Sequence, residues 1–95
     1  MDYPDIQRER EIIQARVPDI DAGFAEQIAR VVGSIRGYDL KKAPSISETL
    51  DWARTLLLLG VDRLDTEVTR DTLSLLLKYQ QDMEKVQRDL VVNEA

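Results

Sequence analysis

The feature that most constrains this chain is the spacing of its apolar residues, which repeats with the period of an α-helix. In the second quarter of the sequence they fall at i, i+4, i+7, i+8 and i+11, which forms one stripe of a helix and does not suit a strand. No segment shows the alternation of a half-buried strand, so the sequence predicts an all-α fold. The residues of the clearest stripe are Phe24, Ile28, Val31, Val32 and Ile35.

Start and stop signals divide the chain into four predicted helices joined by short connections. Proline suits the first turn of a helix but ends a helix that reaches it, so Pro4 predicts the first start and Pro18 the first end. Glycine commonly closes a helix, which assigns Gly37 and Gly60 to the ends of the second and third. We therefore predict a small four-helix bundle that forms a single domain over residues 1–95. The predicted helices cover residues 4–16, 21–36, 46–59 and 66–90.

The first predicted helix carries a run of charges, QREREIIQAR, which is typical of a solvated helix face with i,i+4 pairs. Its apolar side is assigned to Ile6, Ile13 and Val17. The residues assigned to its wet side are Arg8, Glu9, Arg10 and Glu11.

The third predicted helix has the clearest start in the sequence. Ser45 and Glu48 match a capping box, in which each side chain bonds to the backbone N–H of the other residue. Trp52, Leu56 and Leu59 widen its apolar face, so we expect this helix to be the most buried.

Acidic residues elsewhere are interpreted as helix caps. Asp19 or Asp21 is the predicted cap of the second helix, and Asp65 or Thr66 that of the fourth. The segment DIDAGF lacks the later ligands of a calcium loop, and no glycine-rich phosphate loop is present. The sequence therefore predicts no metal site.

The fourth predicted helix is long for the domain. Unbroken to Leu90 it would span roughly 36 Å at 1.5 Å per residue, whereas a domain of this size is about 25 Å across. We expect its last turns to overhang the bundle, to fray or to pack on something else, and an overhang would expose an apolar stripe. The stripe consists of Tyr79, Met83, Val86 and Leu90.

Composition excludes several classes of function. The net charge is −5, which argues against nucleic-acid binding and against an acidic membrane surface. The sequence has no cysteine and no histidine, which removes thiolate metal sites and the usual catalytic triad. No apolar run is long enough to span a bilayer and no secretory signal is visible, so the predicted compartment is cytoplasmic.

Two phrases carry a family resemblance. DYPDIQREREIIQARVP resembles the start of the C-terminal lid in AAA+ ATPases of the MoxR group. KKAPSISETLDWARTLLLLGVDRLDTEVTRDTLSLLLKYQQDMEKV is similar to the lid of the CoxD-like branch, in which a Ser-x-x-Glu-Thr-Leu-Asp-Trp-Ala helix and a Gly-Val-Asp-Arg-Leu turn recur. The resemblance covers roughly residues 2 to 86. The phosphate-binding loop, acidic metal motif and core strands of such ATPases are not in this sequence.

The resemblance implies a helical lid that is not catalytic alone and belongs to a parent ATPase. ATP and Mg would be bound through the core domain, and the lid would contact that core and the neighbouring subunits of a ring, usually a hexamer. The MoxR group implies chaperone-like maturation or metal-cofactor insertion, with a von Willebrand factor A-type protein and a client metalloenzyme as partners. The acidic charge and the short apolar runs, and not the resemblance, predict no nucleic-acid partner and no membrane insertion.

The same resemblance implies that the start of the third helix faces the nucleotide. Many such lids carry a sensor-2 arginine there, whereas this chain has Ser47 in its place. The helix dipole favours an anion at this point, but the Glu48 carboxylate opposes one. Arg54, two turns further on, is a lesser candidate for contact with phosphate. The implied nucleotide-proximal residues are Ser45, Ile46, Ser47, Glu48 and Arg54.

Two other functions are compatible with a small helical domain. One is a stand-alone protein–protein interaction module that binds a partner helix through the stripe of the fourth helix. The other is a helix-turn-helix DNA binder, which the acidic charge disfavours. The seven-residue loop 38–44, between the Gly37 stop and the Ser45 cap, is also longer than the usual turn of three or four residues.

Overall fold

In this computed structural model, residues 5–92 are described and contain five α-helices and one short 3₁₀ turn. No strand occurs within that range, which confirms the all-α prediction, and Pro4 lies outside it. No helix among these residues combines the length and the apolar character needed to cross a bilayer. The elements are α1 (Ile6–Arg16), α2 (Ala22–Arg36), α3 (Ile46–Leu58), α4 (Thr66–Asp71), the 3₁₀ turn (Leu73–Leu75) and α5 (Gln80–Asp89).

Aspartate side chains begin three of these helices. Asp21, rather than Asp19, caps α2, and its carboxylate accepts the N–H groups of Gly23 at 2.9 Å and Phe24 at 3.2 Å. Asp65, rather than Thr66, caps α4. Asp5 caps α1 in the same way. Each cap satisfies backbone donors that a helix start would otherwise leave without a partner.

Two glycines follow helix ends, but in different backbone conformations. Gly37 directly follows α2 with φ −77°, which any residue can adopt. Gly60 has φ +79°, the left-handed conformation that favours glycine. The N–H of Val61 donates to the carbonyl of Leu56 at 2.9 Å, and the N–H of Gly60 donates to the carbonyl of Leu57 at 3.0 Å. This pair of bonds is a Schellman motif, and it stops α3 as the sequence predicts.

The core forms around α2, whose predicted apolar stripe is buried at every position. α1 packs along α2, and α3 contacts both helices. Trp52 of α3 is fully buried, and its indole N–H donates to the hydroxyl of Thr72 at 2.8 Å. This bond satisfies the one polar atom of the largest core side chain and connects α3 to the segment after α4.

Three predictions about burial are wrong. α3 is not the most buried helix, because seven side chains of α2 are buried against five of α3. Leu59, assigned to the inner face of α3, is 64% exposed, and its neighbour Leu58 is 87% exposed. The end of α3, from Leu58 onward, therefore lies at the surface. Ile6, assigned to the apolar side of α1, is also exposed, at 38%.

The prediction of one continuous helix over residues 66–90 is also wrong. The chain leaves helical conformation after Asp71, passes through the 3₁₀ turn and begins α5 at Gln80. At about 100° per residue, Val86 would lie about 220° around an unbroken helix from Leu73, on the opposite face. Both side chains are fully buried in the structure. The break rotates α5 about its axis relative to the preceding segment. As a result, the apolar side chains before the break, such as Leu73, and those after it, such as Val86, both reach the core.

The break also removes the predicted overhang. Val86 and Leu90 are buried and Met83 is half-buried, so only Tyr79 of the proposed stripe is exposed. The described residues fit within 33 × 30 × 22 Å. That is less than the length of the helix predicted from the sequence.

Trp52 provides a test of the core. We expect Trp52→Ala to lower the free energy of unfolding by about 3–5 kcal/mol, because it leaves a large cavity and removes the bond to Thr72. Urea denaturation followed by circular dichroism measures this. Leu59→Ala, on the exposed end of the same helix, should change the stability by less than about 0.5 kcal/mol. Equal effects of the two substitutions would contradict the assignment of Trp52 to the core.

Candidate functional site at the start of α3

The predicted capping box is present at the start of α3. The Ser45 hydroxyl oxygen accepts the N–H of Glu48 at 3.2 Å, and the Glu48 carboxylate accepts the N–H of Ser45 at 2.9 Å. The ammonium group of Lys42 lies 3.3 Å from the same carboxylate. Both side chains of the box are therefore engaged in starting the helix, and the prediction is confirmed.

The box also sets the protonation of Glu48. Burial raises the pKa of this carboxyl, but the hydrogen bonds from Ser45 and the positive charge of Lys42 lower it by more, so the pKa lies below the ordinary value of 4.5. Glu48 is therefore a carboxylate at neutral pH.

A buried ion pair holds the chain just before this site. Arg36, the last residue of α2, donates to Glu9 of α1 through both terminal nitrogens, at 2.5 and 3.0 Å. Its Nε donates to the carbonyl of Pro44 at 2.9 Å. The two charged side chains are only 6% and 2% exposed. One guanidinium thus ties α1 and α2 to the residue that precedes Ser45.

The position of Glu9 contradicts its assignment to the solvated face of α1. Glu9 and Ile13 are four residues apart, so they share the helix face that packs on α2. The prediction assigned Glu9 to the solvated face because its side chain is charged. A bidentate arginine, however, offsets much of the free-energy cost of burying a carboxylate. Of the charge run, Arg8 and Glu11 form the expected kind of exposed pair, at 3.4 Å and i,i+3 spacing.

A second buried carboxylate holds the same loop from the other side. Asp82 of α5 is 1% exposed, and its two oxygens accept the N–H groups of Lys41 at 3.0 Å and Lys42 at 3.2 Å. Nothing in the local sequence indicates this role, because both partners lie 40 or more residues away along the chain. Asp82 was missed for that reason.

The structure brings four of the five predicted site residues together. Ser45, Ile46, Ser47 and Glu48 form the first turn of α3, where Ile46 packs against the core and Ser47 is exposed. Arg54 is not part of this site, because it lies eight residues further along α3 than Ile46, roughly 12 Å along the axis. It is paired with Asp51 at 3.3 Å instead.

The chemistry available at this site is limited. The capping box occupies the N–H groups of Ser45 and Glu48, and the Glu48 carboxylate places a negative charge beside them. An approaching phosphate would be repelled by that charge. Within residues 5–92 there is also no group of three or more acidic, cysteine or histidine residues that could hold a metal ion. The site is a well-anchored helix start.

Comparisons with protein-family models, with curated proteins and with solved structures each gave no match to this chain. The resemblance to MoxR-group lids therefore depends on the residues quoted above, and the structure adds the all-α architecture.

The buried pair gives a prediction about stability. Glu9→Ala removes the buried carboxylate to which both terminal nitrogens of Arg36 donate, so we expect the free energy of unfolding to fall by about 3–5 kcal/mol. Glu11→Ala, on the same helix but in an exposed pair, should cost less than about 1 kcal/mol. Urea denaturation of both variants measures the difference. The double variant Glu9→Leu with Arg36→Met should recover much of the lost stability, and failure of Glu9→Ala to destabilise would contradict the role of the pair.

Glu48 gives a prediction about pH. Because its pKa is lowered by folding, its charge stabilises the folded state above pH 4.5, and this contribution disappears as the pH falls through the pKa of the folded state. Glu48→Gln keeps a side chain that can complete the box but removes the charge. We expect the melting temperatures of the wild type and the variant to differ at pH 6 and to converge as the pH is lowered below 4.5. A difference that is independent of pH would show that the charge has no part in the cap.

Proposed function

We propose that this chain acts as the C-terminal lid of a MoxR-type AAA+ ATPase of the CoxD-like branch. The observation that carries the proposal is the resemblance of residues 2–86, above all SISETLDWA at the start of α3 and GVDRL in the turn that follows it. The parent protein would couple ATP binding and hydrolysis to chaperone-like maturation or metal-cofactor insertion in a cytoplasmic partner enzyme. The lid would supply contacts that depend on the nucleotide state and contacts to the next subunit of the ring.

The geometry at the start of α3 supports a mechanical role in preference to a chemical one. Glu9, Arg36 and Asp82 fix the loop before Ser45 to three helices, so this helix start moves with the whole domain. A lid that swings as a rigid body needs such a connection. ATP and Mg would be bound by the core domain, and the lid would close over them.

The departure at Ser47 defines what this lid lacks. The exposed serine stands in the place of the sensor-2 arginine, so the lid brings no guanidinium to the phosphates at this position. Arg54 does not replace it, because its position along α3 is too far from the helix start. Contact with the nucleotide would then come from the first turn of α3 and from its dipole, against the charge of Glu48.

ATP hydrolysis tests this proposal. We expect the reading frame upstream of residue 1 to encode a phosphate-binding loop and an acidic metal-binding motif. The 95-residue chain alone should show no ATP turnover above buffer, whereas the longer product should hydrolyse ATP with Mg. In the longer product Ser47→Arg should lower the KM for ATP, because it adds a positive charge beside the phosphates, and Ser47→Ala should leave it unchanged.

Two results would overturn the proposal. One is ATP hydrolysis by the isolated chain, provided that it remains through purification and disappears on unfolding. The other is an upstream sequence that encodes no ATP-binding core.

The interaction module remains an alternative, but on a different surface from the one predicted. The stripe of the fourth helix is largely buried and is not available to a partner. The exposed leucines at the end of α3 favour a binding surface there.

A further inference from the structure

A groove of about 600 Å³ lies where the end of α1 meets the end of α3. Its apolar part includes Leu58, which is 87% exposed, and Leu59, which is 64% exposed, follows it in the chain. Two adjacent leucines exposed to this extent are unusual on a domain whose other large apolar side chains are mostly buried. The residues that line the groove are Arg16, Val17, Pro18, Asp19, Arg54, Leu57 and Leu58.

The charges at the groove differ from those of the chain as a whole. Two arginines and one aspartate line it, although the protein carries a net charge of −5. Arg16 forms no ion pair with any residue of the described range 5–92. Arg54 pairs with Asp51, but both side chains are about half exposed or more, at 49% and 73%, so solvent screens this pair. The guanidinium of Arg16 is therefore available to a carboxylate from outside, and that of Arg54 is held only by a solvent-screened pair that such a carboxylate can replace.

A second copy of this chain fits the groove poorly. A two-fold dimer would place the same patch of each copy against the other, which brings the arginines of both copies into one interface. The charge of −5 on each copy also opposes self-association.

We propose that this groove docks a segment of a partner protein that presents a leucine-sized apolar side chain and a neighbouring carboxylate. The apolar side chain would lie against Val17, Leu57 and Leu58, and the carboxylate would accept hydrogen bonds from Arg16 or Arg54. Arginine is suited to this because its planar donors match the geometry of a carboxylate. The inference does not depend on the assignment of the chain as a lid, since no nucleotide or core domain enters it.

Titration with two matched peptides tests the proposal. The first probe is an acetylated amphipathic 12-residue peptide with leucines at i and i+4 and glutamates beside them, and the second has every glutamate replaced by lysine. Followed by ¹⁵N–¹H NMR of the full chain, the acidic peptide should shift the amides of Arg16, Val17, Asp19 and residues 54–59, and the basic peptide should bind more weakly. Arg54→Glu and Arg16→Glu should each weaken binding of the acidic peptide about fivefold. Arg88→Glu, an exposed position on α5 outside the groove, makes the same charge change and should leave binding unchanged.

Several results would overturn the proposal. One is equal binding of the two peptides, and another is a set of shifted amides away from the groove. A dimer seen by sedimentation equilibrium and dissolved by Leu58→Asp would assign the groove to a second copy. Binding to phosphatidylcholine vesicles that Leu58→Asp abolishes would assign the leucines to a lipid surface. None of these readouts involves ATP, so failure here is distinct from failure of the proposed lid function.

Discussion

The buried pair of Glu9 and Arg36 is the interaction on which the rest of this structure depends. Removing two charges from water is costly, and the cost is offset only when nearly all their hydrogen-bonding groups find partners. Here the guanidinium meets both carboxylate oxygens and the carbonyl of Pro44. The requirement to satisfy this one group therefore aligns α1 with α2 and sets the point from which α3 begins.

The break after α4 has a comparable effect at the other end of the chain. It turns α5 so that Val86 reaches the core and Asp82 reaches the loop between α2 and α3. That loop contains no regular structure of its own, so its backbone N–H groups need partners from elsewhere. Asp82 satisfies two of them. Residues far apart in the sequence thus hold the loop from both sides, and Ser45 starts α3 from a fixed position.

The two ends of α3 differ in a way that bears on function. Its start is capped, charged and anchored by neighbouring helices, which suits the transmission of movement but not chemistry. Its end is apolar, exposed and bordered by arginines, which suits contact with another protein. A lid would use the first property against its own core domain, and a docking surface would use the second against a partner. One helix can serve both because the sites lie at its opposite ends.

The sequence alone determined the features that depend on near neighbours in the chain. The helical period identified the fold class and the core stripe of α2, and short-range hydrogen bonding identified the capping box and the glycine stop after α3. These could be predicted because each involves residues within about one or two turns. Four residues of the candidate site followed from the same local signals, together with the family resemblance.

Only the tertiary structure decided which charges are buried and where the last predicted helix breaks. The local sequence predicts that Glu9 is solvated. Only the tertiary structure brings Arg36, 27 positions away in the chain, into a buried ion pair with it. Asp82 likewise has its partners 40 and 41 positions away. The phase of the final helix depends on which face the core can accept, which no local pattern specifies. Long-range electrostatics and packing decide these points, because the free energy of a buried charge or apolar face depends on what lies opposite it.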